Sequence, residues 1–320
     1  MQTLHPFRRL AAALCLASAF GAPVFAQGQA PAADPPIVVT GARLTPQEAR
    51  ARAVAFVQGT GVAAGNRPVA RWLNPVCINV IGISERHAEI VKGRLTRIAT
   101  AAGVPVARGG CENNVAVIFT ENAGEAVREI ERRSSRRLSE VTGAARQRLT
   151  EGNAPIRWWY STEPRAHQGG RQSTNAPSIA QGELTSDATG TTSAPSGGGS
   201  VLPNNVPNLY QYNSSIISTQ VARALTSSTV IVDVNTMRLP LEAVAAYVAM
   251  VAFAEIREND FTSPGSIMGM FEEGPNAPRA MTDWDMAFLR VLYRIPLDRE
   301  ARRHRGILVR DLLAAVQAGS

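Results

Sequence analysis

Leu239-Pro240-Leu241-Glu242-Ala243-Val244-Ala245-Ala246-Tyr247-Val248-Ala249-Met250-Val251-Ala252-Phe253-Ala254-Glu255-Ile256 is apolar on every side between its two glutamates. A helix with no polar face has to be buried all round. A membrane span is the competing reading, but spanning takes about 20 apolar residues. Glu242 and Glu255 bracket a shorter run, so the stretch predicts a buried core helix around which the rest of the chain is arranged.

A polar, breaker-rich loop follows, Arg257-Glu258-Asn259-Asp260-Phe261-Thr262-Ser263-Pro264-Gly265, and then Ser266-Ile267-Met268-Gly269-Met270-Phe271. A second helix opens at Met281-Thr282-Asp283-Trp284-Asp285. Thr282 is placed as its N-cap, and Asp285 three residues on makes a capping-box-like start that also suits the helix dipole. Phe288, Leu289, Leu292 and Tyr293 fall on one face at helical spacing.

This order resembles the metzincin branch of the zincin metalloproteases. Ser266-Ile267-Met268-Gly269 looks like the Met-turn, and Asp283-Trp284-Asp285 through Leu292-Tyr293 looks like the closing helix. The closing pattern is also similar to that of an uncharacterised family of secreted proteobacterial proteins, zincin-like but lacking the zinc-binding histidines. The fold implied is α+β: a zincin-like mixed sheet packed on helices, with the buried central helix followed by the Met-turn-like segment and the closing helix. Zincins hold one Zn²⁺ through two His four residues apart on the active-site helix, with a Glu between them as general base. Laid on that pattern, Ala246 and Met250 stand where the histidines belong and Tyr247 where the Glu belongs. With Met268 beneath them they define a degenerate site. The four histidines are His5, His87, His167 and His304, none of them in the helix, so neither a metal nor another cofactor is expected.

Met1 to Ala26 reads as a secretory signal, with Arg8-Arg9, an apolar run and a small-residue cleavage pattern. The expected destination is periplasmic or secreted. Residues 27–44 are expected to be a mobile N-terminal segment, 45–162 and 208–320 the two parts of the zincin-like domain, and 163–207 a flexible Gly/Ser/Pro-rich insertion. Of three cysteines, Cys15 leaves with the signal. Cys77 and Cys111 then form the default disulfide of an oxidising compartment, worth about 3.5 kcal/mol on the chain-entropy model.

The formal net charge is +7 and the pI about 10.0, but all but one of the 33 basic residues are Arg, and the clusters alternate with acids. Arg132-Arg133 and Arg136-Arg137 interleave with Glu129, Glu131 and Glu140, the pattern of a solvated helix face. No aromatic interleaving marks a base-stacking surface, so nucleic acid is not the expected partner. Nor is the chain expected to be an integral membrane protein.

Thr45-Pro46-Gln47-Glu48 starts a helix with Thr45 as N-cap and Pro46 in the first turn. Val76–Ile83 and Asn114–Thr120 are near-continuous apolar runs of the kind buried strands show, and Val104–Ala107 is a shorter one. Between them Val91, Leu95, Ile98 and Ala102 recur at helical spacing, with Gly103 as the stop. A charged surface helix is predicted over Ala123–Arg148. Trp158-Trp159-Tyr160 either lines a ligand groove or forms a strand with one ring inside and one stacked outside. Ser215–Val221 and Thr229–Val234 complete the strands.

Three functions suit these observations. The first is an exported, non-catalytic domain that binds a protein or peptide partner in the cell envelope. The second is a peptidase-like hydrolase using non-standard groups, with Glu255, Glu258 and Asp260 as candidate acid and base. The third is an accessory of a TonB-type system acting through Ile37-Val38-Val39-Thr40-Gly41, a run similar to one near the mature start of TonB-dependent receptors and suited to addition at a sheet edge.

Overall fold

The sheet is assembled on β5 (Val221–Asp233), whose two edges take different partners. Along one edge β4 (Ile156–Ala166) lies antiparallel to it, Ile156 facing Val232 and Ala166 facing Val221. The other edge is shared end to end by two parallel strands. β1 (Ala70–Trp72) pairs with Arg223–Leu225, and β3 (Val115–Thr120) pairs with Ser228–Asp233. β2 (Ile78–Ile81) adds in parallel beyond β3. In this computed structural model residues 44–141, 143–166, 221–257, 265–272 and 277–319 are described. The leader, the Ile37–Gly41 run and most of the 163–207 insertion lie outside them.

Alternation in β3 and β4 sends side chains to both faces, and both faces are covered. Val115, Val117, Phe119, Trp158 and Tyr160 join the main core. That core is completed by α5 (Leu241–Phe253), α2 (Glu85–Ala102), α6 (Asp283–Leu292) and residues of α1 (Pro46–Gly59) and α7 (Ala301–Gly319). Trp159 and Ile231 point the other way, into a smaller cluster under α3 (Ala123–Arg133) and α4 (Gly143–Glu151). The aromatic triplet is thus split across the sheet with all three rings buried, and none of them stacks outside. The fold is mixed α and β, with seven α-helices and five strands among the described residues. Four of the strands are mutually parallel and helices lie on both faces, so the architecture is closer to α/β than to the α+β arrangement expected.

Local signals are met where they are strong. Thr45 and Thr282 each head a capping box, with Glu48 and Asp285. Gly103, at φ +84°, closes α2. Gly82 is required by space, because a Cβ there would stand 1.9 Å from the Phe119 carbonyl oxygen where β2 turns into α2. α5 is buried at every position from Ala243 to Phe253, as an all-apolar helix must be.

Boundaries differ where tertiary packing intervenes. The helix predicted over Ala123–Arg148 is broken: α3 stops at Arg133, a 3-10 turn Ser135–Leu138 drops the fully buried Leu138 into the smaller cluster, and α4 restarts at Gly143 with φ +56°. Glu163–Ala166, read as the start of the insertion, extends β4 instead. Of Ser215–Val221 all but Val221 lies outside the described residues, and the strand read at Thr229–Val234 is longer than expected, running from Val221 to Asp233. Its polar middle is accommodated by bonds such as Thr226 Oγ1 to the Ser161 carbonyl, 3.0 Å. Val104–Ala107 contributes only the isolated bridge of Val106 to Val76.

Candidate functional site: the face and exit of the central helix

Ala246 and Met250 are fully buried, and Tyr247 and Met268 nearly so. Tyr247 is packed edge-on against Trp158 (ring centroids 5.9 Å) and against Phe271 (5.5 Å). Of these rings only Phe271, 40% exposed, reaches the surface. Burial pushes the Tyr247 phenol well above its ordinary range, so the ring stays neutral. This donor set does not fit zinc: Ala246 has no ligand atom, the Met250 thioether is soft and weak, and a neutral phenol is a poor ligand. Among the described residues no group of three His, Cys, Asp or Glu could hold a metal ion.

The Met-turn-like segment packs against α5 as a 3-10 turn, Ile267–Gly269. One carboxylate holds it to the closing helix. Asp285 accepts from Ser266 Oγ at 2.6 Å through Oδ1. Its Oδ2 accepts from the Ile267 N–H at 2.8 Å and from Thr282 N and Oγ1 at 3.0 and 2.8 Å. Asp285 is fully buried, and burial raises its pKa against the pull of those bonds. Ser266 and Asp285, separate features of the sequence pattern, are one hydrogen-bonded unit.

The other end of α5 poses a physical problem. The last turn of a helix leaves carbonyls without intrahelical partners, and an unpaired buried acceptor costs about 1–3 kcal/mol. Water cannot serve here, because Val251 to Ala254 are all fully buried. Four aromatic side chains supply donors instead. Trp72 Nε1 donates to the Ala252 carbonyl (2.9 Å), Tyr293 Oη to Phe253 (2.8 Å) and Trp158 Nε1 to Ile256 (2.6 Å). Tyr160 Oη lies 2.5 Å from the Val251 carbonyl and 2.9 Å from that of Ala254. Its single proton serves one of them at a time. Burial raises the phenols of Tyr160 and Tyr293 far above their usual range, keeping both protonated as donors.

Glu255 sits immediately beyond this collar, 2% exposed, with its negative charge at the negative end of the helix dipole. Two guanidinium groups compensate. Arg223 engages it as a fork, Nη1 to Oε2 at 2.8 Å and Nη2 to Oε1 at 2.9 Å. Arg257 donates to Oε1 from Nε at 2.7 Å and also from Nη2. Arg223 is itself anchored on the Pro68 carbonyl (2.9 Å) and Thr162 Oγ1 (3.1 Å). Glu140 lies 3.7 Å from Arg257 and accepts from Thr162. Arg67 stands nearby, and partial burial followed by the like charges of Arg257 and Arg223 lowers its pKa. A small cavity of about 90 Å³ adjoins, between Glu140, Arg257 and the Trp158–Tyr160 rings.

Of the three carboxylates proposed to cluster after the central helix, Glu255 is therefore bound by two arginines, and Glu258 and Asp260 lie outside the described residues. Cys77 and Cys111 are bonded, Cα atoms 5.9 Å apart. His87 is exposed, its Nδ1 2.8 Å from Ser84 Oγ. His304 is buried between the Val69 N–H and the Pro296 carbonyl. The capping roles of Trp72, Tyr160 and Tyr293 and the pairing of Arg223 were not read from the sequence. One signal was available: a glutamate directly behind an all-apolar helix calls for a cation, and Arg257 stands two residues on, although nothing local points to Arg223, 32 residues away.

No family model, curated protein or solved structure matches this chain. No described helix is long and apolar enough to cross a membrane.

Proposed function

We propose that this chain is an exported, non-catalytic domain of the cell envelope, built on a zincin-like frame whose zinc-binding residues are missing, which binds a protein or peptide partner. The observation that carries this reading is the packing of Tyr247. At the position the resemblance assigns to a general base stands a neutral phenol wedged between Trp158 and Phe271. That place offers apolar contact at the surface through Phe271, and neither a base nor a nucleophile. The hydrolase alternative needs a free carboxylate, and Glu255 is held on both oxygens by Arg223 and further by Arg257.

The test is a measurement of bound zinc and of peptide hydrolysis on the exported chain, with and without chelator. Zinc well below one equivalent and no chelator-sensitive cleavage are expected. Zinc near one per chain together with cleavage abolished by chelation would defeat the proposal.

A further inference from the structure

A cavity of about 550 Å³ lies away from α5, between α1 and α7. Its floor is Val54 and Val57 from one helix and Val309 and Leu313 from the other. Along α1 the lining positions are 50, 54, 57 and 58, and along α7 they are 305, 306, 309, 310 and 313. Both sets recur at helical spacing over nine residues, so the groove follows the two helix axes for about 12 Å. A groove of that form accepts the apolar ridge of a third helix.

Its rim is of one sign. Arg50, Arg305 and Arg310 line it and no carboxylate does. Arg50 makes no ion pair among the described residues. Arg305 Nη1 is fixed on the carbonyls of Ala63 (2.5 Å) and Gly65 (2.8 Å), which position its charge without neutralising it. Arg310 donates to the adjacent Asp311 at 2.7 Å.

We infer that the α1/α7 groove docks an amphipathic helix from a partner protein, its apolar stripe on Val54, Val309 and Leu313 and its flanks carrying Asp or Glu opposite the arginines. Charge complementarity selects the acidic flank and repels a basic one. An anionic lipid surface would meet the same charges but would use no groove running between two helix axes.

The experiment uses the full exported chain and fluorescein-labelled helical peptides of about four turns, roughly 14 residues, followed by anisotropy at low and high salt. One peptide has leucines spaced three and four apart between glutamates, one replaces the glutamates by lysines, and one keeps the glutamates but scrambles the leucines. The Glu-flanked amphipathic peptide is expected to bind at least about tenfold more tightly than either of the others. Arg50→Glu with Arg310→Glu is expected to erase that preference. The charge-matched control Arg136→Glu with Arg137→Glu, at exposed positions on the opposite face of the sheet, should leave it. Leu313→Asp should weaken binding by about tenfold with the circular dichroism spectrum unchanged. Equal binding of the scrambled or Lys-flanked peptide would overturn the inference, as would equal loss in the control pair. Retention on phosphatidylglycerol vesicles that depends on Leu313, with no peptide binding, would overturn it in favour of a membrane surface.

Discussion

Two carboxylates are buried at opposite ends of the path from the central helix to the closing helix, and they are kept there by different means. Glu255, just past the C-terminus of α5, needs two arginines. Asp285, in the first turn of α6, is surrounded only by uncharged donors from Ser266, Ile267 and Thr282. Helix polarity accounts for the difference. A negative charge at a C-terminus faces carbonyls and must be neutralised, whereas at an N-terminus it faces N–H groups and is favoured by the dipole. The lesson for function is that both acids are occupied in holding the frame together, one through ion pairs and one through hydrogen bonds.

The contrast can be broken most directly at Glu255. Glu255→Ala leaves Arg223 without a counter-charge and Arg257 with only the looser contact to Glu140 at 3.7 Å, and should cost about 3–5 kcal/mol in urea denaturation. Replacing Glu255 and Arg223 together by Met should cost less than the single change, because removing both partners leaves fewer buried charges unpaired. A single-variant loss under about 1 kcal/mol would place the pair in solvent-like surroundings and dissolve the contrast. Asp285→Ala strands the donors at Ser266, Ile267 and Thr282 and should cost roughly 2–4 kcal/mol. Asp285→Asn, which keeps one acceptor, should cost less by the same measurement.

Smaller effects sharpen the picture of the α5 exit. Tyr293→Phe removes the hydroxyl that donates to the Phe253 carbonyl and should lower stability by about 1–2 kcal/mol. Tyr160→Phe should do the same, since it removes the one proton that the Val251 and Ala254 carbonyls share.

The smallest effect is in the pH profile. Asp285 has a folded-state pKa above the ordinary Asp value of 3.8, so on acidification the folded chain takes up this proton first. Its contribution therefore becomes more favourable as pH falls through the raised pKa toward 3.8, and Asp285→Asn should remove that slope. His304 acts in the opposite sense. Burial lowers its pKa below 6.5, so the unfolded chain is protonated first, and stability is lost as pH falls from about 6.5 through the lowered value. His304→Asn, which retains an acceptor for the Val69 N–H, should flatten the stability loss between about pH 7 and pH 5, measured as Tm.

What was legible in the chain was the local physics. An uninterrupted apolar helix announced its burial, Thr45 announced its role as N-cap, Thr282 its capping box, and Gly103 the end of α2. The break of Ala123–Arg148 was not legible, because what bends the chain there is a pocket under the sheet waiting for Leu138. The candidate site was half legible. Ala246, Tyr247, Met250 and Met268 could be named from the pattern, and they are buried within one core. The arginine that answers Glu255 lies 32 residues away and the tryptophan that caps Ala252 lies 180 away, beyond the reach of any spacing rule.

By itself, then, the amino-acid sequence determined which segments must be buried, where several helices begin and end, and that no imidazole lies on the central helix, because these follow from side-chain chemistry read over a few turns. Only the tertiary structure decided which aromatic rings cap that helix, which arginines neutralise Glu255 and how Asp285 ties the turn to the closing helix. Apart from the neighbouring Arg257, each of those pairings is a meeting of groups distant in the chain, and a buried acceptor or charge accepts whichever donor the packing delivers to it.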